Sequence, residues 1–264
     1  MLLGFLLAIL VGITLGLVGS GGTILTVPIL VYIMGVDPVL STTYSLFAIG
    51  ITSIVGSIKG FIAKEVDAKK VLSFGLPSLL MVFVMRTFVL PLVPEVITIG
   101  PWAFHQSVLL MLLFAIIMLA SSISMIQGSD MPTVPLSNAH ETPVSLVIVQ
   151  GLFVGIVTGT VGAGGGFLII PALVNFFKLP MKKAVSTSLV IISINSFFGV
   201  LGDVEKFPAF DWPLILGYTF FTIVGVFVGF ALSNKMNGED LRKAFGYLIL
   251  LMGGYILVRE LFFV

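Results

Sequence analysis

An internal repeat constrains this chain more than any other feature. Displacing the sequence by 143 positions, the separation of Pro28 and Pro171, aligns Gly12, Gly16, Gly19, Gly21, Gly22, Leu25 and Pro28 with Gly155, Gly159, Gly162, Gly164, Gly165, Leu168 and Pro171. With no gap, the same displacement aligns Ser45, Leu46, Ser53 and Gly56 with Ser188, Leu189, Ser196 and Gly199. Chance supplies shared apolar positions between two greasy segments, but not a glycine cluster, a proline and a serine pair at one constant offset; this is a duplication. The chain is therefore divided into a first repeat over 1–126, a linker over 127–143 and a second repeat over 144–264.

The medium of the fold follows from composition. With 58% hydrophobic and 9% charged residues and a mean hydropathy of +1.21, the chain lacks the charged side chains that would clothe a water-soluble domain of 264 residues. Lipid is its main solvent. Taking roughly 17–25 apolar residues as a bilayer span, spans are expected near 1–18, 40–58, 70–91, 104–126, 144–160, 184–202, 212–232 and 241–262. The apolar runs 23–34 and 166–177 are shorter. At ~1.5 Å per residue each covers about 18 Å, against a hydrocarbon core of ~30 Å, so both read as half-helices. The expected fold is an all-α polytopic membrane protein of two repeats, each of about five helical segments, with glycine-tipped hairpins that cross fully or re-enter. An odd number of segments per repeat places the second copy upside down relative to the first. With both termini outside, the inside loops hold Lys59, Lys64, Lys69, Lys70, Lys178, Lys182, Lys183, Lys235, Arg242 and Lys243, the bias that the positive-inside rule demands. No basic region precedes the first apolar run, so residue 1 is read as the mature start.

The two hairpin tips, Gly19-Ser20-Gly21-Gly22-Thr23 and Gly162-Ala163-Gly164-Gly165-Gly166, each precede an apolar half-helix. Helix starts carry free N–H groups and partial positive charge, and two brought together from opposite faces form an anion site made of main chain. Tight turns are the plain alternative for these tips, and close helix packing is the reading for Gly12, Gly16, Gly155 and Gly159. Polar side chains within apolar segments add a second group: Thr42, Thr43, Ser45, Thr52 and Ser53 in one repeat, Ser186, Thr187, Ser188, Asn195 and Ser196 in the other. Of these, Ser45, Ser188 and Asn195 are the candidate oxyanion ligands; hydrogen bonding back to their own helices is the alternative. Arg86 lies within a span and is a secondary candidate, either for substrate or as a side chain that snorkels to the interface.

Several function classes fall away. Zero cysteines remove disulfides, thiolate metal sites and thiol nucleophiles. There is no His-Glu-x-x-His, no paired intramembrane carboxylate and no Ser/His pair in one span, so the chain is not read as an enzyme, and no metal or cofactor is expected. No basic, aromatic-interleaved stripe suits nucleic acid. The expected partners are a small anionic substrate and the lipid bilayer. No Asp or Glu falls well inside a span, Glu260 standing at the very end of the last one, which leaves open a coupling ion, proton or sodium; homo-oligomerisation is open too.

At Gly19 to Pro28, Gly162 to Pro171, Tyr44-Ser45-Leu46 and Thr187-Ser188-Leu189, the chain resembles the sulfite exporter TauE/SafE family over nearly its whole length. The halves differ at Thr23 against Gly166 and Tyr44 against Thr187, so they need not contribute equally to a site. The resemblance implies a secondary transporter in the prokaryotic cytoplasmic membrane, expected to export sulfur-containing anions such as sulfite, thiosulfate or organosulfonates. With the residue reading, this gives alternating access around a midplane anion site. A channel, or an assembly factor that transports nothing, are the alternatives.

Overall fold

The structure, a computed structural model, describes residues 1–19, 22–99, 102–127, 144–177, 179–232 and 238–262. The expected linker, apart from Gln127, lies outside the described residues, as do Ser20 and Gly21 of the first tip. Among the described residues ten α-helical segments follow one another, with a 3-10 turn at Val204–Ala209, and a helix covers each of the eight expected spans. The first five are α1 (Leu2–Val18), α2 (Thr23–Ile33), α3 (Pro38–Ile62), α4 (Ala68–Leu92) and α5 (Gln106–Gln127). The second five are α6 (Val144–Val161), α7 (Gly166–Pro171, continued as a π-turn through Ala172–Phe176), α8 (Met181–Leu201), α9 (Trp212–Leu232) and α10 (Gly238–Phe262). Five of the described helices are long and apolar enough to cross a membrane, and large side chains such as Phe153, Phe220, Phe227 and Leu251 face outward. The molecule is an all-α polytopic membrane protein. A local addition that the sequence reading lacks is a pair of short antiparallel strands between α4 and α5, β1 (Val96–Ile99) and β2 (Trp102–His105), with Val96 opposite His105.

Local sequence explains the breaks. Gly19 and Gly162 take left-handed backbone (φ 77° and 72°), which ends α1 and α6, and their N–H groups donate to Leu15 O and Thr158 O, each at 2.8 Å. Pro28 and Pro171 lie inside the short helices, and a π-turn follows each of them. A proline removes one helix hydrogen bond and crowds the preceding turn, and the wider π-turn accommodates the displaced carbonyls.

Packing in one half recurs in the other. Helices α3 and α8 are the most buried of the long apolar helices and cross antiparallel, with Gly50 against Ser196 and Gly60 against Ser186. Tyr44 Oη on α3 accepts a hydrogen bond from Asp211 N–H at 2.5 Å, and Asp211 in turn accepts from Leu214 N–H at the start of α9. On α8, Thr187 Oγ1 accepts from Asp67 N–H at 3.0 Å, and Asp67 accepts from Lys70 N–H at the start of α4. The third helix of each half thus pins the fourth helix of the other, and the unlike residues Tyr44 and Thr187 perform one task.

Helix α1 lies along α9 through Gly12 and Gly16 on one side and Gly225 and Gly229 on the other, Gly229 approaching so closely that a Cβ there would stand 3.1 Å from Gly16 Cα. Gly151, Gly155 and Gly159 of α6 press on α4 in the same way. These glycines are packing surfaces, as the sequence reading held for Gly12, Gly16, Gly155 and Gly159. Gly225→Leu is expected to cost about 1–3 kcal/mol or more through overpacking, read as a lowered unfolding temperature in detergent; an unchanged temperature would contradict this contact.

Candidate functional site

The second tip is fully described and lies against the α3/α8 crossing. Gly162, Gly164 and Gly165 all have positive φ (72°, 65° and 68°), a backbone that only glycine adopts without strain. A Cβ on Gly164 would stand 3.0 Å from Ile49 of α3, 3.1 Å from Ile192 of α8 and 3.4 Å from Ser196 Oγ. A Cβ on Gly162 would stand 2.5 Å from Thr42 Cβ and 2.6 Å from Arg86 Nη2. At the first tip, Gly19 meets Val185 of α8, the residue that the repeat pairs with Thr42. On each central helix the residues touching the tips therefore define a stripe. Ser45 lies between Thr42 and Ile49 on α3, and Ser188 between Val185 and Ile192 on α8, at helical spacing.

Arg86 does not snorkel. It sits in a π-turn of α4 with 0% exposure, and its ion pair with Asp203 is buried with it. Nη1 donates to Asp203 Oδ2 (2.5 Å) and Thr42 Oγ1 (2.9 Å), Thr43 Oγ1 donates to the same carboxylate oxygen (2.7 Å), and Lys206 Nζ donates to Asp203 Oδ1 (2.8 Å). Arg86 Nε and Nη2 have no hydrogen-bond partner among the described residues, nor do the buried Ser45 Oγ, Ser196 Oγ and Asn195 Oδ1. Buried charged donors left unpaired are costly, and these lie beside a glycine tip.

Asp203 stands just beyond the end of α8. Burial pushes its pKa up, but the Arg86 and Lys206 charges, with hydrogen bonds from Lys206 and Thr43, outweigh this and hold it below the usual carboxylate range. A folded value below the unfolded one stabilises the fold fully above the unfolded value of about 3.9, and the contribution is lost as pH falls through the folded value. The stability difference between wild type and Asp203→Asn is thus expected to stay level from about pH 7 down to about 4 and narrow only below that. Unfolding in detergent across that range checks it; a difference that vanishes by about pH 5 contradicts the pairing.

The other mouth of the α3/α8 crossing is built differently. A cavity of about 250 Å³ opens between the end of α3 and the start of α8, and Lys59, Glu65, Lys182, Ser186 and Phe230 are among its walls. The helix registers show what has changed. Gly155 and Gly159 of α6 face Ser78 and Val82, and Gly12 and Gly16 of α1 face Thr222 and Val226, which places Phe230 where the first mouth has Arg86. Arg86 is bound to Asp203 at its mouth, while Phe230 lines the cavity with Lys59 Nζ 4.5 Å from its ring centroid.

A family model described as Sulfite exporter TauE/SafE matches residues 4–256. The chain belongs to this family. Among the relatives of this TauE/SafE protein are three called probable membrane transporter proteins. That of Xylella fastidiosa is 26% identical over 95% of this chain and 92% of the relative. That of Methanocaldococcus jannaschii is 26% identical over 96% and 95%, and that of Bacillus subtilis 23% over 98% and 100%. No solved structure matches the chain. The molecule is a multi-pass membrane transporter.

The TauE/SafE chain brings together some of the residues singled out from sequence and separates others. Gly162, Ala163, Gly164, Gly165 and Gly166 form one buried tip, with Ser45 and Ser196 on the adjoining helices and Arg86 beside it. Gly19, Gly22 and Thr23 stand at the first tip; a Cβ on Gly22 would run into Thr14 and the Val11 carbonyl of α1. Ser188 Oγ donates to Val185 O at 2.8 Å, the local alternative weighed from sequence. Asn195 Nδ2 donates to Ser78 Oγ of α4 at 2.7 Å. Sequence reasoning missed Asp203 as the partner of Arg86, and Glu65 with its neighbours as a cavity wall. The demand of an intramembrane cation for a counter-charge was the available signal for Asp203; Glu65 gave none.

Proposed function

We propose that the protein is a secondary transporter, working as an exporter, for small sulfur-containing oxyanions such as sulfite, thiosulfate or organosulfonates. In this reading, two inverted five-helix repeats, 1–126 and 144–264, rock around an anion site at the glycine tips. The observation that carries it is the fully buried Arg86 with Nε and Nη2 unpartnered beside Gly162. A charged donor held out of water next to glycine backbone suits an oxyanion, whose oxygens accept charge-assisted hydrogen bonds. Ser45 and Asn195 complete the site on the two central helices, Ser188 joins them on releasing Val185 O, and Gly19, Gly22 and Thr23 of the first tip form its other wall. Arg86 thereby moves from secondary to principal ligand. The sulfur chemistry comes from the family description. The antiparallel crossing of α3 and α8 at repeat-related positions supports inversion. The lysine bias supports a cytoplasmic-membrane orientation with both termini outside.

Proteoliposome flux tests the reading. Purified protein is expected to move sulfite or thiosulfate saturably, without single-channel currents. Currents would identify a channel instead, and absence of flux for sulfite, thiosulfate, sulfoacetate and taurine would overturn the proposal.

A further inference from the structure

We infer that the cavity between Lys59 and Lys182 is an anion-loading site on the lysine-rich face, distinct from the glycine tips and taking a small oxyanion or the head of an organosulfonate. The inference rests on the transporter reading above for its place in a cycle, but its binding chemistry stands on the cavity itself.

Size comes first. At about 250 Å³ the cavity lies below the about 300–1,000 Å³ of pockets that hold drug-sized ligands, so it fits a solute of few atoms. Its connection comes next. Val185 lines the cavity and is also the side chain against Gly19, so it stands between the cavity and the first glycine tip.

Charge decides the sign of the ligand. Lys59 and Lys182 line the opening, and neither has an ion-pair partner among the described residues. The nearby carboxylate does not neutralise them: Glu65 Oε2 accepts a hydrogen bond from Ser186 Oγ at 3.0 Å and stays against the wall, beyond ion-pair reach of both ammonium groups. Lys59 is held over the Phe230 ring, which fixes a cation at the wall without cancelling its charge. Lys182 lies in the first turn of α8, a helix of 21 residues with no side-chain cap. The helix dipole disfavours a cation there, so ammonium and main-chain donors accumulate positive potential at one place, and an anion relieves it.

The opposite mouth supplies the contrast. There Arg86 occupies the position of Phe230 and is held, like Lys206, on the Asp203 carboxylate. One mouth presents cations without an ion-pair partner around an opening; in the other the cations are bound to a carboxylate. Loading from the lysine face follows from that difference.

Sulfite-dependent thermal stabilisation in detergent, repeated at rising KCl, tests this in wild type, in Lys59→Gln/Lys182→Gln and in the charge-matched Lys64→Gln/Lys69→Gln. The last pair removes two exposed lysines of the same face that do not line the cavity. The cavity pair is expected to weaken sulfite binding about tenfold and to flatten its salt dependence, while the control binds as wild type does. In proteoliposomes the cavity variant is expected to raise KM with little change in kcat. If the cavity variant keeps wild-type binding and KM while flux is normal, the loading site is wrong and the transporter reading stands. If sulfite binds in a lysine-dependent way but wild type carries no flux, the transporter reading fails and the site stands. No sulfite binding by wild type overturns the loading site.

Discussion

Arg86→Met is expected to destabilise the fold by about 3–5 kcal/mol, the cost of leaving one member of a buried ion pair without its partner. Asp203 would remain buried with Lys206 and Thr43 alone, having lost the guanidinium that neutralises it within the helices. Arg86→Met/Asp203→Asn is expected to recover at least half of that loss, because replacing both charges removes the stranded carboxylate as well as the pair. Denaturant unfolding in mixed micelles measures all three variants. Costs that simply add would show that the two residues do not act together. The single and double variants should also both lose the part of the oxyanion-induced stabilisation that does not depend on Lys59 and Lys182, since the donors beside Gly162 are gone in each.

The second large effect is expected at Gly162. A valine there takes left-handed backbone at about 1–2 kcal/mol and drives its Cβ into Thr42 and Arg86, adding about 1–3 kcal/mol of overpacking. Gly35 provides the matched control. Its φ is 73°, but nothing lies within 4 Å of a Cβ built on it, so Gly35→Val is expected to show only the backbone part. Thermal unfolding of the two variants side by side separates strain from crowding. Equal losses would mean that the tip is not clasped by its neighbours. Sulfite stabilisation should survive Gly35→Val and fall with Gly162→Val to the part contributed by the lysine cavity, provided the latter still folds; Gly162→Ala gives the same readout with less disruption.

The architecture was largely legible in the sequence because duplication and greasiness are written one residue at a time. The offset that aligns Pro28 with Pro171 also aligns the π-turns after them, Ile29–Ile33 and Ala172–Phe176. The site was less legible because its decisive contacts join residues far apart in the chain. Arg86 finds Asp203 across 117 positions and Thr42 across 44, and no local pattern announces either. Reading each half by its likeness to the other also concealed what differs between them. Arg86 and Phe230 occupy corresponding places but share no chemistry, and that mismatch separates a mouth with a buried ion pair from one lined by an aromatic ring. The strands Val96–Ile99 and Trp102–His105 went unseen because Pro94 and Pro101 mark the segment as a connection, and pairing inside so short a connection depends on its two ends being held together by α4 and α5.

The Arg86–Asp203 pair also bears on voltage. One elementary charge carried through 100 mV exchanges about 2.3 kcal/mol with the membrane field, enough to make turnover steeply dependent on potential if a lone guanidinium travelled with a moving helix. Bound to Asp203 together with Lys206, Arg86 belongs to a cluster of two cations and one carboxylate, so the carboxylate removes one of the two charges that a displacement would carry through the field. A movement of the whole cluster would therefore add one elementary charge to any current, beside the charge on the cargo.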